Sequence, residues 1–332
     1  MRSLSDFPTR ADLCHNPSMK LVTVTMVGCD ADIVETFVRF HCRFVDRMVF
    51  VLHGNDIDGS HAIVRRLCDE GLPLELHSCD TPAYRQSAIV TECVRTLAHD
   101  AEIDWIFPLD CDEFVCTQDG NSPEHILTTL PRDTFFAIPW RTYIPLSNDP
   151  ADPCVLRRMC HRKTIEQPQY CKILLPRSLA ERPDVVVSPG AHHIFVNEIP
   201  TRGEPRTDIA LAHFPVRSAD QLRRKILVST ERERANPARL LGECFHWDAL
   251  FDRCMDPRLI DPEELTSIAM YYGGTDPSPL STLERRPLGA ADIRMRYPAS
   301  APPSPFTAHN LACMELRETK DRESVKLLSG VS

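Results

Sequence analysis

Lysine is scarce in this chain: six of 38 basic residues, the other 32 being arginine. Glycine is scarce as well, with 12 residues against 28 prolines. No Gly-x-x-x-x-Gly-Lys phosphate loop, Gly-x-Gly-x-x-Gly dinucleotide turn or Gly-x-Ser-x-Gly elbow occurs. P-loop, dinucleotide-fold and serine-hydrolase chemistry therefore have no motif behind them. No apolar run approaches the roughly 20 residues a membrane helix needs. Positive charge is not in excess either: 47 acids face 38 bases, a net charge of −9. That argues against a broad nucleic-acid surface while leaving room for a local basic pocket. Cysteine is plentiful at 14, yet no Cys-x-x-Cys pair or zinc-like Cys/His spacing stands out. Cys42, Cys68, Cys93 and Cys111 sit in apolar runs, where a thiol behaves as a small hydrophobe. Reduced core thiols in a cytoplasmic protein are the expectation.

What is present is ordinary globular material, 42% hydrophobic and 26% charged over 332 residues, enough for one large domain or two modest ones. Residues 1–19 read as a leader. Leu21 to Cys29 loosely mimics a lipoprotein signal, but two threonines interrupt it and its β-branched residues suit a buried strand better. Asp30-Ala31-Asp32 then opens an amphipathic helix. Arg47–His53 reads as a second strand ending in Gly54-Asn55-Asp56-Ile57-Asp58-Gly59-Ser60, a turn. Helix follows over 61–70, a strand over Leu72–His77, a long helix over Tyr84–His99, and a fourth strand over Trp105–Leu109. This β-α-β-α-β-α-β order predicts a parallel three-layer α/β sheet. Ligands of such sheets sit beyond the carboxyl ends of the strands. Three polar clusters fall there: Cys29-Asp30, His53 to Ser60, and Asp110 to Glu113. Further strands are expected at Phe135–Trp140, Lys172–Leu175, Val185–Val187 and Ala210–Phe214. Helices are expected at Ser218–Thr230, with a Ser218/Gln221 capping box, and at Asp261–Tyr272. A Pro/Ser/Ala linker covers 297–305, and a polar tail follows.

The sharpest chemistry lies in Asp104-Trp105-Ile106-Phe107-Pro108-Leu109-Asp110-Cys111-Asp112-Glu113-Phe114. An apolar strand delivers three carboxylates in four residues. Crowded carboxylates raise one another's pKa unless a cation lies between them. Their hard oxygens suit Mg²⁺ or Mn²⁺, which in turn suits a diphosphate. Cys111 between them is a poor nucleophile, because negative neighbours suppress its thiolate.

Val27-Gly28-Cys29-Asp30-Ala31-Asp32, the His53–Ser60 turn and Asp104–Phe114 together resemble the GT-A glycosyltransferases of the family 2-like group, over residues 20–230. The Asp-x-Asp-Glu-Phe segment carries the resemblance most specifically. Cys29-Asp30 stands where that group usually has Asn-Glu, and His53 where its second strand usually ends in Asp. The resemblance implies a GT-A three-layer α/β/α sandwich with a mostly parallel central sheet and a C-terminal helical extension over 231–296. It implies a nucleotide-sugar donor held by Asp30, His53, Asp56, Asp58, Arg85, Asp110 and Lys172. It implies Mn²⁺ or Mg²⁺ on Asp110, Asp112 and Glu113 with one distant histidine: His213 first, His193 second, His192 third. It implies transfer to a carbohydrate, lipid-linked or protein acceptor with inversion.

Arg217 and Lys225 are further candidates for the diphosphate. The pairs Arg157-Arg158 and Arg223-Arg224 read as surface charge. Trp140 fits an acceptor pocket or the core. The base that an inverting transfer needs is poorly marked: Asp149, in the loop after Trp140, and Glu198 are the candidates. A metal-dependent nucleotidyltransferase and a non-catalytic nucleotide- or sugar-binding module with a decayed transferase fold are the alternatives.

Overall fold

A computed structural model describes residues 19–117, 122–239, 242, 244–272, 274, 282–297 and 302–329. The expected leader lies outside these except for Met19, which is buried in the core. Alternating strands and helices open the chain: β1 (Leu21–Val27), α1 (Val34–His41), β2 (Arg47–His53), α2 (Ser60–Asp69), β3 (Leu74–Cys79), α3 (Gln86–Ala98) and β4 (Trp105–Pro108). Then come β5 (Glu113–Thr117), α4 (Glu124–Thr129), β6 (Phe136–Thr142), α5 (Val155–Arg158), β7 (His161–Lys163), β8 (Cys171–Pro176) and α6 (Arg177–Ala180). The short strands β9 (Val185–Val187), β10 (Ile194–Val196), β11 (Ile199–Thr201) and β12 (Glu204–Pro205) lead to β13 (Ile209–His213) and α7 (Ala219–Arg234). The chain closes with α8 (Phe245–Met255), α9 (Pro262–Tyr271), β14 (Leu283–Arg285) and α10 (Pro305–Ser329).

The main sheet runs β3-β2-β1-β4-β8-β6-β13-β5, with β12 beside β6. Its first four strands are parallel. β8 runs against β4 and β6, and β5 against β13. Every residue of β1 is buried, as a central parallel strand requires. Thr23 and Thr25, which break its apolar run, lie inside the sheet at 0% exposure. Phe37, Val38, Ile63 and Val64 of α1 and α2 pack on one face with Phe50, Phe107 and Phe114. Val90, Val94 and Leu97 of α3 pack on the other with Val24, Val49, Ile106 and Ile173. The three-layer α/β/α sandwich is thus present.

Several boundaries move for physical reasons. Strand β3 starts at Leu74 rather than Leu72, because Pro73 has no N–H for the ladder and offers only its carbonyl, to Met48 N (2.8 Å). Helix α3 starts two residues late: the Tyr84 N–H donates to Arg232 O (2.9 Å), which holds Tyr84 out of the helix. Ser218 does cap α7, its hydroxyl accepting from Gln221 N (3.2 Å). The Gln221 side chain returns to Arg217 N (2.9 Å), one residue before the usual capping-box partner. Arg223 and Arg224 are buried rather than on the surface; Arg223 donates to the carbonyls of Cys254 and Asp256, which end α8. The polar C-terminal stretch is helix α10, packed along α7. No helix among the described residues is long and apolar enough to cross a membrane.

Candidate functional site

The ends of β1, β2 and β4 converge on a small cleft of about 110 Å³, lined by Gly28, Cys29, Asp30, His53, Tyr84, Asp110, Asp112, Lys225 and Arg232 among others. A larger cavity of about 590 Å³ adjoins it and shares Tyr84, Asp110, Asp112, Lys225 and Trp247. Its walls include the rings of Trp140, Tyr170, His192, Phe195, Phe245, Trp247 and Tyr272. The two spaces meet at the acidic turn.

That turn joins β4 to β5 and is held by Glu113. The Glu113 N–H donates to Asp110 O (3.0 Å), and Asp110 N–H donates back to Glu113 Oε2 (2.8 Å). Glu113 Oε1 accepts from the Trp140 indole (2.7 Å), and Lys172 Nζ stands 3.2 Å from Oε2. Glu113 has no exposed surface and lines neither cavity. Burial pushes its carboxyl up, with Lys172 pulling it back. The expected metal ligand Glu113 is therefore a brace for the turn, its oxygens already taken.

Each aspartate of the turn has its own lysine. Lys172 Nζ meets Asp110 Oδ2 at 2.6 Å, and Gln86 Nε2 meets Oδ1 at 3.2 Å. Burial works against the Lys172 charge, but Asp110 and Glu113 outweigh it and raise its pKa. Lys225 Nζ meets Asp112 Oδ2 at 2.6 Å. Burial would raise the Asp112 carboxyl; Lys225, His213 and Arg217 together hold it well below the usual carboxylate range. Asp110 remains 37% exposed and Asp112 4% exposed, and both line the two cavities.

His213 arrives by register: β13 runs antiparallel to β5 and sets His213 opposite Glu113. Its Nε2 lies 3.9 Å from Asp112 Oδ1, and its ring stacks on Trp140 with centroids 4.0 Å apart. Burial pulls its pKa down to about 3, so the imidazole is neutral. His53 ends β2 with Nε2 3.1 Å from Ala83 O, and burial lowers it to about 4. Asp30 borders the same cleft, its Oδ2 accepting from Gly28 N (3.3 Å). Burial raises Asp30 to about 7, against the pull of Arg217 and Lys225.

Asp30, His53, Asp110, Asp112 and His213 are thus brought to one place, with Lys172 behind Asp110. Arg85 lies at the rim of the larger cavity. Other expected site residues lie elsewhere. Asp56 caps α2, accepting from the N–H groups of Gly59, His61 and Ala62. Asp58 is buried under the cleft, accepting from Ala31 N (3.0 Å) and Ser60 N (3.1 Å); burial raises its pKa. His193 turns towards Phe195 and lines neither cavity. Its neighbour His192 does, with Nδ1 2.8 Å from Cys171 O. Arg217 is spent on a two-pronged pair with Asp32 (2.7 and 2.8 Å). Asp149 accepts from Leu146 N (2.9 Å) in its own loop, outside both cavities. Glu198 is exposed in the β10–β11 turn. Among the described residues, the carboxylate that does line the larger cavity beyond the acidic turn is Glu233, near the end of α7, which no sequence signal marks.

No family model matches the chain, and no curated protein does. Among solved structures, S. aureus TarS 1–349 is similar over 71% of this chain and 71% of that one, with 11% identity and a TM-score of 0.36. The chain spans 43% of a longer TarS structure, with a TM-score of 0.35. A structure described as mannose-1-phosphate geranyltransferase from Thermus thermophilus is 12% identical over 52% of this chain and 62% of that one, with a TM-score of 0.29.

Proposed function

We propose that the chain is a glycosyltransferase. It would hold a nucleotide-sugar in the small cleft and pass the sugar, with inversion, to a hydroxyl bound in the aromatic cavity. One observation carries this reading: the acidic turn stands at the junction of a polar cleft and an aromatic cavity. A diphosphate at that junction would put the sugar between the two spaces. Asp30 and His53 border the space for the nucleoside. Lys225 and Arg232 supply positive charge around it. Aromatic faces pack well on the apolar faces of sugar rings.

The residues fit a divalent cation. Asp112 Oδ1, on the side away from Lys225, and neutral His213 Nε2 are 3.9 Å apart, within the span of one ion's coordination shell. The carboxylate suits Mn²⁺ or Mg²⁺, and the imidazole beside it favours the transition metal Mn²⁺ over the oxygen-preferring Mg²⁺. The acidic turn does not form a three-ligand cage among the described residues, so phosphate oxygens would complete the shell, as is usual for Mg²⁺. When bound, the ion would neutralise charge on the departing diphosphate. Lys172 and Lys225 keep both aspartates aimed, and Lys225 helps to keep Asp112 ionised. We assign Glu233 the role expected of Asp149, accepting the acceptor's proton.

A second reading, a binding module without turnover, is favoured by one fact: Asp149 and Glu198 both lie outside the cavities. Nucleotidyl transfer would need a basic phosphate loop after β1, where this chain has Cys29-Asp30. The deciding measurement is thermal unfolding with UDP, GDP, CMP and dTDP, each with and without Mn²⁺, on the wild type and on Asp112→Ala. Ligand at a hundredfold excess over its Kd stabilises by about 2.7 kcal/mol. One nucleotide should raise Tm only with Mn²⁺ and only in the wild type. No shift with any nucleotide would overturn the reading. A shift without hydrolysis of any matching nucleotide-sugar would favour the binding module.

A further inference from the structure

A second cluster of metal-ligating side chains lies outside the cleft, where α10 crosses α7. Glu231 comes from α7; His309 and Cys313 are one turn apart on α10. His309 Nε2 is 3.4 Å from Glu231 Oε1 and 3.7 Å from Cys313 Sγ. All three ligand atoms lie within 4.8 Å of one another, and all three residues are half-buried.

The chemistry of one atom is decisive. Nε2 of His309 faces both a carboxylate and a thiol. If it carries a proton, that proton serves Glu231 and the sulfur loses its acceptor. If it is bare, it can accept from the thiol but turns a lone pair on the carboxylate. Either protonation state of the ring serves one contact well and the other weakly at best, because a thiol sulfur is a poor acceptor, whereas a shared cation serves all three groups. The spacing agrees: with Zn–N and Zn–O near 2.0–2.2 Å and Zn–S near 2.3 Å, tetrahedral geometry gives N···O edges of roughly 3.3 Å and N···S edges of roughly 3.6 Å. The ring is also oriented, packing edge-on to Phe251 with centroids 6.0 Å apart. A competing cation, Arg234, stands 3.8 Å from the same Glu231 oxygen but is drawn closer to Asp248 (3.1 Å).

We propose that Glu231, His309 and Cys313 form a Zn²⁺ site, with water in the fourth position, that staples α10 to α7. On binding, the Cys313 thiol gives its proton to solvent and the sulfur ligates as thiolate. Nitrogen and sulfur ligands select zinc over the hard Mg²⁺ of a phosphate site. The staple sits beside a contact that closes the cleft. Arg232, next to Glu231, pairs with Glu315, two residues beyond Cys313, at 2.9 Å. The sequence hid the site because its ligands lie 78 residues apart along the chain.

The test is a Co²⁺ titration of the metal-stripped full-length chain, read by the near-ultraviolet thiolate-to-cobalt charge-transfer band. The wild type and Asp112→Ala should both show the band with one equivalent, and Zn²⁺ but not Mg²⁺ should bleach it. Cys313→Ser should lose it while keeping its metal-free Tm. Glu231→Gln, which keeps the thiol and the fold, should weaken cobalt binding by at least the roughly tenfold seen when even an outer-shell partner is lost. Absence of the band in the wild type, its survival in Cys313→Ser, or unchanged affinity in Glu231→Gln would each overturn the proposal. None of these outcomes depends on the transferase reading.

Discussion

Burial lifts the Asp30 carboxyl to about 7, while the unfolded chain returns it to about 4. Between those values the folded state binds the extra proton, so this residue makes stability fall as pH rises from 4 to 7. Asp30→Asn removes the charge and keeps an oxygen for Gly28 N–H. It should raise stability at pH 8, and with it Tm, by at most roughly 4 kcal/mol at about 1.4 kcal/mol per pKa unit. The gain should shrink steadily towards pH 4. Thermal melts of both proteins across that range check the sign; a gain that grows on acidification would refute it. Glu233 carries a different expectation. If it takes the acceptor's proton, Glu233→Gln should lower kcat by about 10²–10⁴-fold and leave nucleotide-induced stabilisation intact. Transfer and melting assays on one preparation separate the two effects. At this scale the sequence made the strand-end acids legible, because Asp30, His53 and Asp110 each follow or end a buried parallel strand. It did not reveal that Asp56 is drawn into capping α2 beyond the left-handed Gly59. Nor did it reveal that Glu233, on a distant helix, would enter the cavity.

Elements were legible wherever burial is one-sided or complete. Strands β1, β2 and β4 are runs of β-branched and aromatic residues, and α3 shows its apolar stripe. Strand β5 was hidden because Glu113 and the residues after it look like the tail of an acidic turn. Yet β5 sets His213 opposite that turn. Helix α10 was hidden for another reason. Its buried positions, Ala308, Ala312 and Glu315, keep helical spacing but are small or charged, while Leu311 and Met314 are exposed. Close approach to α7, not a large apolar face, is what its residues provide. For α7, Ser218 satisfies one orphan N–H of the first turn. Ser218→Ala should cost about 1 kcal/mol, measured by urea unfolding. Because α7 carries Lys225 seven residues on, the same change should also weaken nucleotide-induced stabilisation. A full stability loss with unchanged nucleotide response would show that the helix end is set by Arg217 and Asp32 alone.

Over the whole molecule, the last helix is tied to the first half of the sheet through a buried charge pair. Arg232 lies on α7 with 3% of its side chain exposed, and Glu315 on α10 with 8%. Arg232 also donates to His53 O (3.4 Å), and its carbonyl accepts from Tyr84 N. Glu315 accepts from Asn55 N (2.6 Å). The pair therefore joins the loops after β2 and before α3 to helices α7 and α10. Gly54 belongs to the same junction: its φ is +64°, and a Cβ there would meet Arg232 and Glu315 side-chain atoms at 2.7 Å. Removing one partner of a buried ion pair strands the other and costs about 3–5 kcal/mol. Glu315→Ala should cost close to the lower figure, since water can reach part of the Glu315 side chain. Arg232→Met with Glu315→Leu should recover much of the loss, because neither charge is then left alone. The recovery should not extend to nucleotide binding: Arg232 lines the cleft, so the double variant should be more stable than Glu315→Ala yet respond less than the wild type to the nucleotide that stabilises it. Urea unfolding of the three proteins, with and without that nucleotide, separates the structural role of the pair from the electrostatic role of the arginine. A double variant that regained both would place Arg232 outside the binding surface.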